Sequence, residues 1–488
     1  MRCPSLSVVL LASWLSPLLA GDNWPQFRGP AGIGLAEQQL PMEWGNDKNI
    51  AWTVELPGAA WSQPVVWGDR IYVTTAVTEN QTKPKAGSGG FGGFGRRPGG
   101  AGSAPGTPPG GAPRDNDDDG DRPAPRPGSG RPPGGLGGGG FGRGGSPPNA
   151  VYRWKVMCLD RATGKVLWEN LAKEGKPSIS IHSTNTYASE TPIIDGERLY
   201  VYFGMTGLFC FDLEGKALWS KDLGSFNMMN GWGAGSSPAF DGERLYVQCD
   251  NEQKSFIAAF DKKTGEEAWR KPRDERSNWS SPFVWKNKVR TEVVTGGGTR
   301  MRSYDPKTGE LLWELGGSVS RCSATPVGDE SLLYVGSGGG MGGNGPLSAV
   351  KAGAKGDITP KGSEETSDGV AWTVDRAGPP MASPLLYRGN LYVLDQRGGV
   401  LSCYDAQTGQ QHYKQRITGA KGFTSSPWAG DGKVFCLDES GQTFVIEAGN
   451  ELRVLATNKL DDMFWASAAL AGDQLLLRGI DRLYCISR

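Results

Sequence analysis

Asp160-Arg-Ala-Thr-Gly164-Lys-Val-Leu-Trp168, Asp212-Leu-Glu-Gly215-Lys-Ala-Leu-Trp219, Asp261-Lys-Lys-Thr-Gly265-Glu-Glu-Ala-Trp269 and Asp305-Pro-Lys-Thr-Gly309-Glu-Leu-Leu-Trp313 are copies of one short pattern. A fifth copy, Asp405-Ala-Gln-Thr-Gly409-Gln-Gln-His-Tyr413, ends in tyrosine. Each copy reads as a tight hairpin turn with glycine at the position that needs φ > 0. The strand that follows ends in a large aromatic, suited to packing between neighbouring sheets. Short strands and glycine turns recurring every forty to sixty residues indicate a radial array, not one layered core.

A second pattern precedes each turn. It reads Ser62-Gln-Pro64, Glu190-Thr-Pro192, Ser236-Ser-Pro238, Ser280-Ser-Pro282, Ala324-Thr-Pro326, Ala382-Ser-Pro384 and Ser425-Ser-Pro427, with Ala466-Ser-Ala468 as an eroded eighth. Alternating strands such as Arg198-Leu-Tyr-Val-Tyr-Phe and Asn390-Leu-Tyr-Val-Leu-Asp follow. Four strands per unit, repeated around an axis, is the β-propeller pattern. The expected docking aromatics are Trp168, Trp219, Trp269, Trp313, Trp372 and Tyr413, with Arg453-Val-Leu supplying a seventh outer strand. The last unit stops after its third strand. The N-terminal stretch Asn49-Ile-Ala-Trp52-Thr-Val-Glu matches residues 371–374 and can complete that unit. The expected fold is all-β: an eight-bladed propeller of four-stranded antiparallel blades, closed by an N-terminal strand, which removes two sheet edges.

Composition agrees. The 488 residues include 74 Gly, 33 Pro and 17 Trp, and long helix-forming runs are absent. Basic and acidic residues balance at 52 each, which favours neither nucleic acid nor an acidic membrane surface. Residues 1–20 read as a signal peptide, with an apolar run from Leu6 to Leu19 and cleavage after Ala20. Cys3 precedes that run, so no lipid anchor is expected, and no later stretch is apolar enough to cross a membrane. Export to a bacterial periplasm or to the outside is therefore expected. The remaining seven cysteines are an odd set and lie mostly mid-strand, as small core residues. Residues 21–488 are expected to form one domain with two interruptions. The first, 79–150, is expected to be disordered within blade one, since its stretch 87–148 holds 24 Gly and 12 Pro. The second, 338–369, is expected to be a loop in blade five.

Ala-Thr-Gly-Lys-Val-Leu-Trp and Pro-Lys-Thr-Gly-Glu-Leu-Leu-Trp resemble the tryptophan-docking motif of pyrroloquinoline quinone (PQQ)-like, quinoprotein-type propellers. The resemblance runs from about Trp44 to the end, without the Gly/Pro insertion. Asp22-Asn-Trp-Pro-Gln-Phe-Arg-Gly-Pro30 resembles the start of exported bacterial repeat proteins of this type. The resemblance implies two activities. One is that of BamB-like exported propellers: a non-enzymatic scaffold or accessory protein of the cell envelope, monomeric, contacting other envelope or secreted proteins. The other is a PQQ-dependent alcohol or sugar dehydrogenase, with PQQ and calcium at the channel mouth. The chain has no Cys-Cys pair and no Cys-x-x-Cys-His haem site, so the first reading leads; no catalytic residue, metal ligand or cofactor is assigned. Junctions between blades place Trp232, Arg276, Trp279, Arg321, Arg376, Lys421 and Trp465 at one mouth as candidate cofactor-binding residues. Their cations suit an anionic ligand and their indoles a planar ring. A third reading is carbohydrate or polymer binding on an aromatic-rich face.

Overall fold

Each Ser/Thr-Pro segment starts a short inner strand beside a common axis, and three further strands step outward from it. The computed structural model describes residues 23–84, 146–317, 321–339 and 343–488. These form eight sheets, seven of four strands and one of five. Blade one is built from Val65–Trp67, Arg70–Val77, Tyr152–Asp160 and Val166–Gly175. Blade eight takes Ala469–Ala471, Gln474–Arg478 and Arg482–Ile486 from the C-terminus, and Ile50–Glu55 from the N-terminus. Ile50–Glu55 pairs antiparallel with Arg482–Ile486, setting Trp52 opposite Cys485 and Val54 opposite Leu483, and so closes the ring. Residues 1–20, expected to be a signal peptide, and most of the first insertion lie outside the described residues.

The repeated turn is fastened by its own side chains. Asp261 accepts hydrogen bonds from the Lys263 and Thr264 N–H groups at 2.9 and 2.8 Å, and Asp160, Asp305 and Asp405 bind their Thr residues in the same manner. The aromatic of one blade then sits on the glycine of the next. Trp52 donates from Nε1 to the Arg161 carbonyl, Trp168 to Leu213, Trp219 to Lys262, Trp269 to Pro306 and Trp372 to Ala406. The ring of Trp52 lies so close to Gly164 that a Cβ there would stand 2.5 Å from its Cε3. Glycine is needed at that position twice over, for φ of 72° and for this contact.

Two docking positions differ. Trp313 is fully buried and donates to Glu292 Oε2 at 2.7 Å, because the turn of blade five lacks the Thr-Gly pattern. Tyr413 is buried, but its hydroxyl has no hydrogen-bond partner among the described residues. Residues 343–369 are more ordered than a loop. Leu347 and Ala349 pack on one face against Leu391 and Tyr404, and Val350 packs on the other against the layer of Phe283 and Trp313, so Asn344–Lys351 is the third strand of blade five. Gly356–Asp357 crosses to blade four and adds a fifth strand, parallel to Leu311–Leu315. The core is a series of layers between blades, and the cysteines belong to it: Cys158, Cys210, Cys403, Cys436 and Cys485 are free and fully buried.

Residues 23–45 run across one end of the axis before reaching blade eight. Trp24 pairs with Val66 of blade one, the Pro25 carbonyl accepts from Ile194 of blade two, and Leu35 bridges Ala429 of blade seven. Arg28 is 2% exposed and donates to the Pro384 carbonyl at 2.7 Å and the Ile33 carbonyl at 3.1 Å. This segment is a stopper.

Candidate functional site

The stopper turns the central channel into a cavity of about 360 Å³, with Phe27 on its lining and the blade junctions around its mouth. The middle residues of the eight Ser/Thr-Pro segments form its wall: Gln63, Thr191, Ser237, Ser281, Thr325, Ser383, Ser426 and Ser467. They are tied to each other in sequence. The N–H of Gln63 donates to Thr191 Oγ1, that of Thr191 to Ser237 Oγ, and so on to Ser467, at 2.9–3.3 Å. Gln63 bridges the ends, donating from Nε2 to the Ala468 carbonyl and accepting the Arg28 N–H at 2.8 Å. Behind the ring, Ser236, Ser280 and Ser425 donate to the backbone of the following blade at 2.9, 2.9 and 3.0 Å. The ring thus joins the blades and leaves one hydroxyl of seven of them facing the lumen.

Above the ring stand aromatic side chains. Trp61 stacks on Trp465 with centroids 5.6 Å apart, and Trp232 lies 5.7 Å from Trp279. Trp61 and Trp279 are fixed through Nε1 to the Thr184 and Gly233 carbonyls, at 2.8 and 2.7 Å. The Arg321 guanidinium stacks over Trp232, 4.8 Å from its centroid, and burial lowers its pKa. His182 shares a 2.8 Å hydrogen bond between Nδ1 and Thr184 Oγ1, and burial lowers its pKa. Among the described residues lining this cavity there is no Asp, Glu or Lys, and Arg321 is the one arginine.

Of the seven candidates from the sequence, Trp232, Trp279, Arg321 and Trp465 line the cavity. Arg276, Arg376 and Lys421 do not converge there. Arg276 points outward, 83% exposed, to Glu252 at 3.5 Å, and Arg376 and Lys421 are exposed. The long side chains stay in water because nothing at the mouth compensates their desolvation. Trp61, His182, Phe27 and the hydroxyl ring were not among the candidates. The Ser/Thr-Pro repeat carried the signal for the ring.

A family profile described as outer membrane protein assembly factor BamB matches residues 153–353 and 354–478. The chain belongs to this BamB family. No curated protein matches it by sequence. Among solved structures, BamB from Moraxella catarrhalis is 12% identical, with a TM-score of 0.49, covering 70% of this chain and 93% of that one. The computationally designed Ika8 protein is 13% identical, with a TM-score of 0.48, covering 69% and 93%. The quinohemoprotein alcohol dehydrogenase from Comamonas testosteroni is 10% identical, with a TM-score of 0.55, covering 95% and 80%. At such identity the likeness is one of fold, and fold alone does not establish chemistry.

The donor set does not suit PQQ with calcium. A tricarboxylate needs several cations, and the lining offers Arg321 alone. Calcium needs oxygen ligands that include carboxylates, and the described residues of the lining include none.

Proposed function

We propose that this BamB-family chain is a non-enzymatic, exported propeller that holds other proteins of the cell envelope against its outer surface. The observation that carries this reading is the outer strand of blade one. Val166–Gly175 is ten residues long, and Val166, Leu167 and Leu171 are 37%, 48% and 52% exposed. An exposed edge strand carrying apolar side chains is a template for pairing with another chain. The match to an outer membrane protein assembly factor supports an envelope setting, and the apolar run in residues 1–20 supports export. No helix among the described residues is long and apolar enough to cross a membrane.

A photo-crosslinking residue at Leu171, expressed in the native host, is expected to trap a discrete envelope partner; Leu167→Lys with Leu171→Lys is expected to abolish the adduct and leave folding intact. The competing reading, a PQQ-dependent dehydrogenase, is checked on the same protein by titration with PQQ and calcium. Saturable binding followed by alcohol oxidation with an artificial acceptor overturns the scaffold reading.

A further inference from the structure

We infer that the axial cavity binds a neutral pyranose sugar, either free or at the end of a glycan. This concerns the lumen and stands apart from whatever the edge of blade one holds. Three features of the lining converge on that ligand class.

The first is hydrogen-bonding character. Each ring hydroxyl spends one lone pair on the N–H of the preceding blade, and none of the seven O–H groups has an acceptor among the described residues. A hydroxyl carries one donor and two acceptor sites, so each offers the lumen a donor and a further acceptor. Sugar hydroxyls, themselves donors and acceptors, can meet such groups in either sense. A purely apolar ligand would leave buried donors unpaired, at about 1–3 kcal/mol each.

The second is shape. Trp61 with Trp465, and Trp232 with Trp279, stand on separate arcs of the wall, with the segment carrying His182 between them. Flat indole faces match the apolar faces of a pyranose ring. The cavity's 360 Å³ lies within the roughly 300–1,000 Å³ of small-molecule sites.

The third is charge. Among the described residues, the lining has no carboxylate to attract a cation and one guanidinium, already stacked on Trp232, to neutralise an anion. Phosphates and polycarboxylates would be buried largely uncompensated. A neutral ligand is not.

The test is isothermal titration and tryptophan fluorescence of the full-length mature chain. The probes are glucose, galactose, N-acetylglucosamine, cellobiose and chitotetraose. The expected result is saturable binding of at least one of them with Kd of about 1 mM or tighter. Trp279→Ala should weaken it about tenfold, Arg321→Met less, and Arg276→Ala, outside the cavity, not at all. Tighter binding of the oligosaccharides assigns the site to glycan ends; equal binding of the monosaccharides assigns it to free sugar. No saturable signal with any probe, or unchanged affinity in both Trp279→Ala and Arg321→Met with wild-type melting temperatures, overturns the proposal. If Trp279→Ala fails to fold, Arg321→Met and displacement of the quenched Trp signal by excess sugar decide it. The failure of this test leaves the crosslink at Leu171 untouched, and the reverse.

Discussion

At the scale of single residues, turn glycines meet two demands, backbone conformation and close contact, that substitution can separate. Gly68 and Gly164 both have positive φ, of 57° and 72°. A Cβ on Gly68 meets nothing within 4 Å, whereas one on Gly164 would collide with the Trp52 ring. Gly68→Ala is therefore expected to cost ~1 kcal/mol from backbone strain alone. Gly164→Ala should cost ~2–4 kcal/mol, since it also unseats Trp52; urea denaturation of the two variants checks the difference. Glu190 offers a pH handle. It is 3% exposed, and burial pushes its carboxyl up from the ordinary 4.5 to about 7, against hydrogen bonds that include the Gly204 N–H at 3.1 Å. The folded state therefore binds this proton more tightly than the unfolded chain. The resulting stability is fully present below pH 4.5 and is lost as pH rises through about 7, on the order of 3 kcal/mol in all. Glu190→Gln should flatten that part of the stability–pH curve, as read by denaturant midpoints at pH 5 and pH 8.

At the scale of elements, the N-terminal segment does what the repeats cannot. Blade seven's outer strand, Val454–Lys459, has Ala456 where other blades carry a docking aromatic, paired opposite Val445. Trp44 joins the apolar cluster against which Ala456 packs. Asn458 holds it there, accepting the Trp44 N–H at 3.0 Å and donating to the Met42 carbonyl at 3.1 Å. Trp44→Ala should thus cost ~3–5 kcal/mol, as for other buried tryptophans, whereas truncating the exposed Leu218 should cost little; thermal melts of the two variants test this. Period and turn chemistry made the blades legible in the sequence, including Trp52 as the borrowed strand. The stopper was not legible, because its order comes from contacts to blades one, two, six and seven, and residues 23–36 show no strand period of their own. For the site, the tryptophans could be placed by counting junctions. Whether Arg276, Arg376 and Lys421 turn inward or outward depends on desolvation at a mouth whose width the sequence does not encode.

At the scale of the whole molecule, closure is what makes the large insertion tolerable. The strands flanking it, Arg70–Val77 and Tyr152–Asp160, pair along their full length, from Arg70 opposite Asp160 to Val77 opposite Arg153. Thr78 Oγ1 then donates to the Val151 carbonyl at 2.8 Å, so the hairpin is pinned at the point where the insertion leaves it. The ring is held shut elsewhere, by Ile50–Glu55 on Arg482–Ile486 and by Trp52 on Gly164. None of these contacts uses residues 80–149. Loop closure costs about 0.6 kcal/mol per doubling of length, so replacing that stretch by a short Asn-Gly turn should stabilise the protein by roughly 2 kcal/mol. The expected outcome is an unchanged β-type circular dichroism spectrum and a melting temperature raised by a few degrees. Cutting the chain after residue 56 instead removes stopper, Trp44 and Trp52 together. That variant should uncover the outer edge of Arg482–Ile486 and lose cooperative unfolding, and a sharp wild-type-like melt from it would show that ring closure is not what holds the blades in register.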